Sequence, residues 1–455
     1  MSQEKTVPVA QLLSRALHHI RTTPPRIIAS PPTQPRRAAV ALIIRVVPSP
    51  FSSPPPRDAP PPTLTQFFEL DWVNDPASRA EILFLRRDGV NASDSIIGAG
   101  TSQTAGPSEH SSKGKAKDEA NIAFPGGRME EGDEGGLYTA MRQTWEEIGL
   151  DLAERDFTSI GQLDDREITT SLGKRLLMIL SPFVFLQLTP YSLSTDPSPG
   201  TTIHWTPLDA LISAVLPGKI AEREDCAGNW STVTVDAASR LAPRHAALLK
   251  VLVRVLIGSM QFPAILLDVP EFEPSSTPPL PTGARSAYPA LTQDILEKGM
   301  PPNSALKKQK VRQRKQLKLW GLSLGMTLDL IAHMSNNQST SKAGFSALQL
   351  PFHPVGGEGM RIDLVAPSLA SVFPRFSYPD VNFWIWVFAK RYREVVRGWE
   401  ASVLGGGTND RRINWSGTAL NSFYAAVRKA LVVVLVLRAI GVLFGLLFAG
   451  WWVFA

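Results

Sequence analysis

Glu146 and Glu147 are adjacent carboxylates in a segment running from Phe124 to Leu150 that also holds Glu130, Glu131, Asp133 and Glu134. Oxygen side chains gathered this densely suit hard divalent cations such as Mg2+ or Mn2+. If residues 137–148 are helical, Gln143, Glu146 and Glu147 fall at i, i+3 and i+4 on one face and can serve one site. Leu137, Ala140, Met141, Thr144 and Ile148 then form an apolar stripe facing a sheet. A diphosphate resists attack by water because its own oxygens are negative, and a cation held by such a face offsets that charge. The turn at Pro125-Gly126-Gly127 lets backbone approach a ligand with no side chain in the way. Gly126, Gly127 and Arg128 are therefore expected to meet phosphate. Arg142 is expected to hold a carboxylate of the cluster in its bidentate fork rather than to touch substrate.

A lone glutamate pair on a helix is usually a solvated face, so the weight rests on the whole string. The Phe124-Pro-Gly-Gly turn, the acidic loop and the run Arg142-x-x-x-Glu146-Glu147-x-Gly149-Leu150 resemble the Nudix box of the Nudix hydrolases, Gly-x5-Glu-x7-Arg-Glu-U-x-Glu-Glu-x-Gly-U with U apolar. One extra residue separates Gly127 from Arg142, so the first glutamate of the pattern corresponds to Asp133 or Glu134. That spacing, with Thr139-Ala-Met-Arg142, Gly161-Gln-Leu163 and Ser181-Pro-Phe-Val-Phe185, looks like the coenzyme A diphosphatase branch. The resemblance covers roughly residues 12–270. It implies an α/β/α sandwich with a mixed sheet and metal-dependent hydrolysis of coenzyme A, acyl-coenzyme A or a related nucleoside diphosphate derivative. It further implies Mg2+ or Mn2+ on Glu146 and Glu147, with Asp133 or Glu134 as a further ligand.

The pattern is broken at Gln143, where the family carries a glutamate that binds metal or acts as base in several members. A glutamine amide offers a neutral oxygen but accepts no proton at neutral pH. Either Glu167 or Asp165, in the run Asp164-Asp-Arg-Glu167, then serves as base, or the chemistry is weakened and a ligand-binding module remains.

The elements that must position this string are legible around it. Residues 38–46, 80–86, 157–163, 175–187 and 202–205 are rich in branched and aromatic side chains and read as strands. Residues 206–216 and 243–258 read as helices, and 317–334 as a further helix packing back on the domain. Residues 48–62 form a proline-rich loop, and 88–120, dominated by small and polar residues with Lys113, Lys115 and Lys117, reads as a disordered insertion. The expected organisation is a lead-in at 1–37, a catalytic domain at 38–270, a linker and further region at 271–430, and an apolar segment at 431–455. No motif is evident between 335 and 418.

Composition bounds the rest. The chain has 455 residues, 44% hydrophobic and 19% charged, with 38 prolines, which suits one folded domain with appendages. A net charge of +6 without aromatic-interleaved basic runs makes nucleic acid an unexpected partner. Cys226 is the only cysteine, so an intramolecular disulfide is excluded. The arginine- and serine-bearing N-terminus also fits a targeting segment, mitochondrial in type, although Pro24, Pro25, Pro31 and Pro32 interrupt any long amphipathic helix. Residues 431–455 are apolar except for Arg438 and are long enough to cross a bilayer. Arg428 and Lys429 lie before them and Trp451 and Trp452 near their far end, an arrangement expected of a membrane anchor in an organelle such as a mitochondrion or peroxisome.

Overall fold

The structure is a computed structural model that describes residues 7–29, 36–53, 56, 59–87, 119–169, 176–191, 193–215, 228–238, 247–268, 316–334, 371, 373–404 and 418–454. The insertion at 88–120, apart from its last two residues, and the proline-rich stretch after residue 270 lie outside the described residues.

Helix α1 (Val9–Thr22) comes first, then strand β1 (Arg37–Val47), the single turns α2 (Leu64–Phe67) and α3 (Asp71–Asn74), and strands β2 (Arg79–Arg87), β3 (Glu119–Ala123) and β4 (Gly126–Arg128). Helix α4 (Gly136–Ile148) leads to β5 (Phe157–Gln162), β6 (Arg166–Thr169), β7 (Leu176–Gln187), β8 (Thr201–Pro207) and α5 (Leu208–Val215). Then follow β9 (Gly228–Asp236), α6 (Ala247–Ile257), β10 (Ser259–Asp268), β11 (Gln316–Trp320), α7 (Gly321–Met334), β12 (Arg375–Phe376), α8 (Pro379–Phe388), α9 (Lys390–Leu404) and α10 (Thr418–Phe454).

All the described strands join one mixed sheet with β1 at its centre. On one edge β1 runs parallel to β7, pairing Arg37 through Ile44 with Ile179 through Leu186. Its other edge is shared, Ala38–Val40 pairing with β4 and Ile44–Val47 with β2, both antiparallel. A strand apolar on both faces belongs where both faces are covered, and β1 is. Val40, Leu42 and Ile44 enter the core under α1 and α7, while Ala39, Ala41 and Ile43 meet Ala140 and Ile148 of α4. The result is an α/β/α arrangement. Small side chains at 39 and 41 leave room for α4 to lie close to the sheet.

Three expectations need correction. The N-terminal segment is not a bare lead-in: α1 buries Leu12, Leu13, Ala16, Leu17 and Ile20 against the core, and it ends at Thr22, ahead of the prolines expected to interrupt any long helix. Residues 317–334 are not one helix. Gln316–Trp320 alternates buried and half-buried side chains as a strand, pairing with β10 and β3. The chain then turns at Gly321, whose φ of +63° favours glycine, into α7. In consequence packing does not stop near residue 270, because α7 is almost wholly buried and Phe373, Val381, Ile385 and Phe423 share its core.

The buried stripe of α4 departs from expectation only at its start: Leu137 is exposed and Thr139 is buried instead, while Ala140, Thr144 and Ile148 are buried and Met141 is partly so. Among the described residues one helix, α10, is long and apolar enough to cross a membrane: Asn421–Trp452 spans 32 residues, and its most apolar 18-residue stretch has a mean hydropathy of 2.8 and is mostly exposed.

Candidate functional site at the outer face of helix α4

The string singled out in the sequence sits where β4 leaves the central strand and α4 begins. Gly126 has φ +152° and its absent Cβ would fall 2.4 Å from the Ala39 carbonyl oxygen, so only glycine lets β4 pair this closely with β1. At Gly127 a Cβ would fall 1.7 Å from the Gln143 Oε1. The glycine thus makes the hollow into which the Gln143 side chain folds.

Arg142 organises the acidic loop. Its Nε and Nη2 donate to Asp133 Oδ1 and Oδ2, both at 2.8 Å, and its Nη1 donates to Glu146 Oε1 at 2.9 Å. Nη2 also reaches the Arg128 carbonyl at 3.2 Å, and Glu130 lies 3.4 Å from Nη1. Asp133 further accepts from the Thr139 hydroxyl at 2.9 Å and the Glu130 amide at 3.0 Å. The Arg142 guanidinium holds the Asp133 carboxyl down at about 2, and Asp133 in turn raises the arginine above its ordinary value.

Gln143 Nε2 donates to Glu146 Oε2 at 2.9 Å, so Glu146 is bridged by both side chains while about half exposed to solvent. Glu147 points elsewhere. Its carboxylate is gripped by Arg87, at the end of β2, with Nη2 to Oε2 at 2.7 Å and Nε to Oε1. Arg87 also donates to the Phe124 carbonyl at 3.3 Å. Beyond Glu147, Gly149 ends α4 with φ +67°, and the backbone amides of Asp196 and Ser198 satisfy the carbonyls of Ile148 and Glu147.

The predicted residues therefore fall into two groups. Asp133, Arg142, Gln143 and Glu146 form one hydrogen-bonded network with the backbone of Arg128, above Gly127. Glu147 is in a separate ion pair, Glu134 is exposed, and the Arg128 side chain is exposed. Among the described residues no three Asp, Glu, His or Cys side chains converge as a ready metal cage. The donor chemistry still fits a hard divalent ion, since Gln143, Glu146 and Glu147 offer one neutral and two anionic oxygen groups from neighbouring positions of one helix. Glu147 is available to such an ion only with Arg87 displaced or shared.

Of the two alternative bases, Asp165 is a structural group. It is fully buried and accepts from the Ile28 amide, Arg37, Gln162 and Ser181 at 2.6–2.9 Å, which ties the turn before β6 to residues 26–28. Glu167 is different. It pairs across the sheet with Ile179, itself beside Arg37, and neighbours directly opposite share a face. Ser181, two residues on from Ile179, lies under Gly136 of α4, so Glu167 stands on the α4 side. Burial raises its carboxyl above the usual range, with Arg26 opposing. Its neighbour Arg166 points the other way into the core, where Asp329 of α7 lies 2.5 Å from its Nη2.

Sequence reasoning missed Arg87. It stands just past the predicted end of its strand, 60 residues from Glu147, and only its place at the terminus of a buried strand beside the Phe124 turn could have marked it.

No family model matches the chain. Over 176 residues, 38% of its length, it is 32% identical to an uncharacterised protein of Schizosaccharomyces pombe, of which it spans about half, 49%. Among solved structures it is similar to a Nudix hydrolase from M. smegmatis, RenU, at 16% identity over 40% of this chain and 77% of that one, with a TM-score of 0.21. It is also similar to a MutT/nudix family protein from Enterococcus faecalis, at 10% identity over 41% and 47%, with a TM-score of 0.19. Superpositions this loose carry no argument about the site, and its chemistry rests on the residues described above.

Proposed function

We propose that this chain hydrolyses a diphosphate linkage in a nucleoside diphosphate derivative of coenzyme A or acyl-coenzyme A type, using the outer face of α4. The observation that carries the reading is the pairing of Gln143, folded over Gly127, with the half-exposed Glu146, and the acidic loop locked beside them by Arg142. Glu146 and Glu147 would hold Mg2+ or Mn2+, with the Gln143 amide oxygen as a neutral donor and Glu134 or Asp133 at the loop side. When bound, such an ion supplies positive charge to the diphosphate oxygens and makes water more acidic.

In this scheme Arg142 positions rather than reacts, because its donors are taken up by Asp133, Glu146 and a carbonyl. Gly127 is buried under the Gln143 side chain and Gly126 packs on β1, so a phosphate would meet this backbone only with Gln143 moved aside, and the exposed Arg128 side chain supplies a charge to it. Gln143 cannot take a proton, so Glu167, with its raised affinity for one and its place on the α4 side of the sheet, is the general base. The coenzyme A type of substrate rests on the spacing between Gly127 and Arg142.

A second reading is a binding module, favoured by Gln143 itself and by the hold of Arg87 on Glu147. One experiment separates the two: turnover of a panel of coenzyme A derivatives and nucleotide sugars with Mg2+ or Mn2+, by wild type, Glu146→Gln, Glu167→Gln and Gln143→Glu. For an enzyme, Glu146→Gln abolishes turnover, Glu167→Gln lowers it about 10²–10⁴-fold, and Gln143→Glu raises it. Wild-type turnover no greater than that of Glu146→Gln sinks the enzyme and leaves the binding module. We further propose that α10 anchors the chain in a membrane, on its length, its apolar exposed surface and the flanking Lys429 and Trp451.

A further inference from the structure

Helix α10 is not a loose tether. A stripe of Phe423, Ala426, Val427, Ala430, Leu431 and Val434 is buried against the domain. Arg438 then locks the helix down: its Nη2 donates to Asp380 at 2.5 Å, its Nη1 donates to the Leu256 carbonyl, and its guanidinium lies 4.5 Å from the Tyr378 ring. Asp380 opens α8, while Tyr392, just past the end of α8, meets Phe423. Helix α8 therefore runs antiparallel to α10 along the buried stripe.

The opposite side of that same stretch is apolar and uncovered. Val432, Val436 and Leu437 are exposed on α10, Phe383, Trp386 and Val387 on α8, and Leu248, Val251 and Val255 on α6, which also touches α10. The exposed apolar surface thus begins on the folded domain, beside α8 and α6, and continues into the residues past Arg438. Nine large apolar side chains are thus exposed on α10 and on two helices packed against it, and monomeric soluble proteins seldom leave large apolar patches without a partner.

Basic side chains predominate at one level of it, with exposed Glu394 one turn on from Lys390. Lys390 and Arg391, immediately after α8, and Lys429 on α10 are exposed. Because α8 and α10 are antiparallel, these three lie toward the same end, with the apolar side chains following and Arg438 beyond them, its charge matched by Asp380. Basic residues at the headgroup level, then aromatic and aliphatic side chains about 5–10 Å deeper, is the order in which a helix beds into an anionic bilayer surface.

We propose that the outer faces of α6 and α8 dock on an anionic lipid bilayer, seating the whole domain on the membrane that α10 enters. This rests on the membrane reading of α10 and goes beyond it, because a tethered domain could otherwise stand off the surface. Neither face belongs to the α4 site.

The test uses the full chain with Cys226→Ser and single environment-sensitive labels at Val251→Cys, Trp386→Cys, Phe444→Cys and Phe51→Cys. The protein is reconstituted in phosphatidylcholine vesicles with or without phosphatidylserine, and brominated acyl chains serve as quencher. Docking predicts quenching at 251 and 386 as well as at 444, and none at 51. It also predicts that Lys390→Gln with Arg391→Gln shifts the docked-to-undocked ratio about 30-fold in the phosphatidylserine vesicles, at about 1 kcal/mol per basic residue, without changing the signal at 444.

Quenching at 444 alone overturns the docking and keeps the anchor. Quenching nowhere overturns both. A blue shift at 251 and 386 that follows protein concentration and not lipid means a second copy covers these faces, and also overturns the proposal.

Discussion

Replacing Asp133 by asparagine tests whether the acidic loop is held by charge or by shape. Asp133 is nearly covered, and its carboxylate takes both prongs of Arg142. Its folded proton affinity is lowered from 3.8 to about 2. A carboxyl whose folded value is depressed contributes stability above its unfolded value, and loses it as pH falls through the folded one. At 1.36 kcal/mol per tenfold change in proton affinity, the interval sets a ceiling of about 2.4 kcal/mol.

The loop is shallow, and solvent screens Arg142 from one side, so about 1–2 kcal/mol is the expected contribution at pH 6. For a domain of this size that corresponds to a fall of about 3–6 °C in melting temperature. The assay is thermal or urea unfolding of wild type and Asp133→Asn, full chain in detergent, at pH 6 and at pH 2–2.5. The gap should be present at pH 6 and mostly closed at the acid end, where the wild-type carboxyl begins to protonate. An equal gap at both pH values refutes the reasoning, since it would assign the effect to packing or to the amide rather than to the ion pair.

Two further perturbations probe neighbouring contacts. In Gly127→Ala the new methyl would fall on the Gln143 side chain, so it should lower binding of substrate or metal and destabilise by about 1–3 kcal/mol. A double-mutant cycle checks the cause, because the effect should largely vanish when Gln143→Ala is already present. Arg166→Ala should cost about 3–5 kcal/mol in urea unfolding, by removing the guanidinium paired with the buried Asp329 carboxylate. Arg166→Met with Asp329→Leu should recover most of that loss, and failure to recover would mean the pair does more than balance charge.

Around the α4 site, local rules carried far. The glycines at 126 and 127, the 3.6-residue repeat of α4 and the apolar run of β1 each depend on residues within one or two turns, and such short-range regularities are readable from order alone. The face shared by Gln143 and Glu146 follows from that repeat. The same rules misplaced 317–334, because an apolar run of mixed length reads equally as strand or helix until Gly321 divides it. They also did not anticipate α1, whose burial depends on a partner helix more than 300 residues later.

What this sequence determined by itself is the chemistry on offer: a carboxylate-rich helix face behind a double-glycine turn, a glutamine among those carboxylates, and an apolar stretch with one arginine near its start. The tertiary structure alone decided how these groups are engaged. Arg87 takes Glu147, Asp133 is the carboxylate that the expected fork of Arg142 holds, Asp165 is spent on the fold, and Arg438 finds Asp380 and becomes a clamp. The physical reason is that periodicity sets which way a side chain points, but its charge state and partners are set by whatever a distant strand or helix brings within hydrogen-bonding distance.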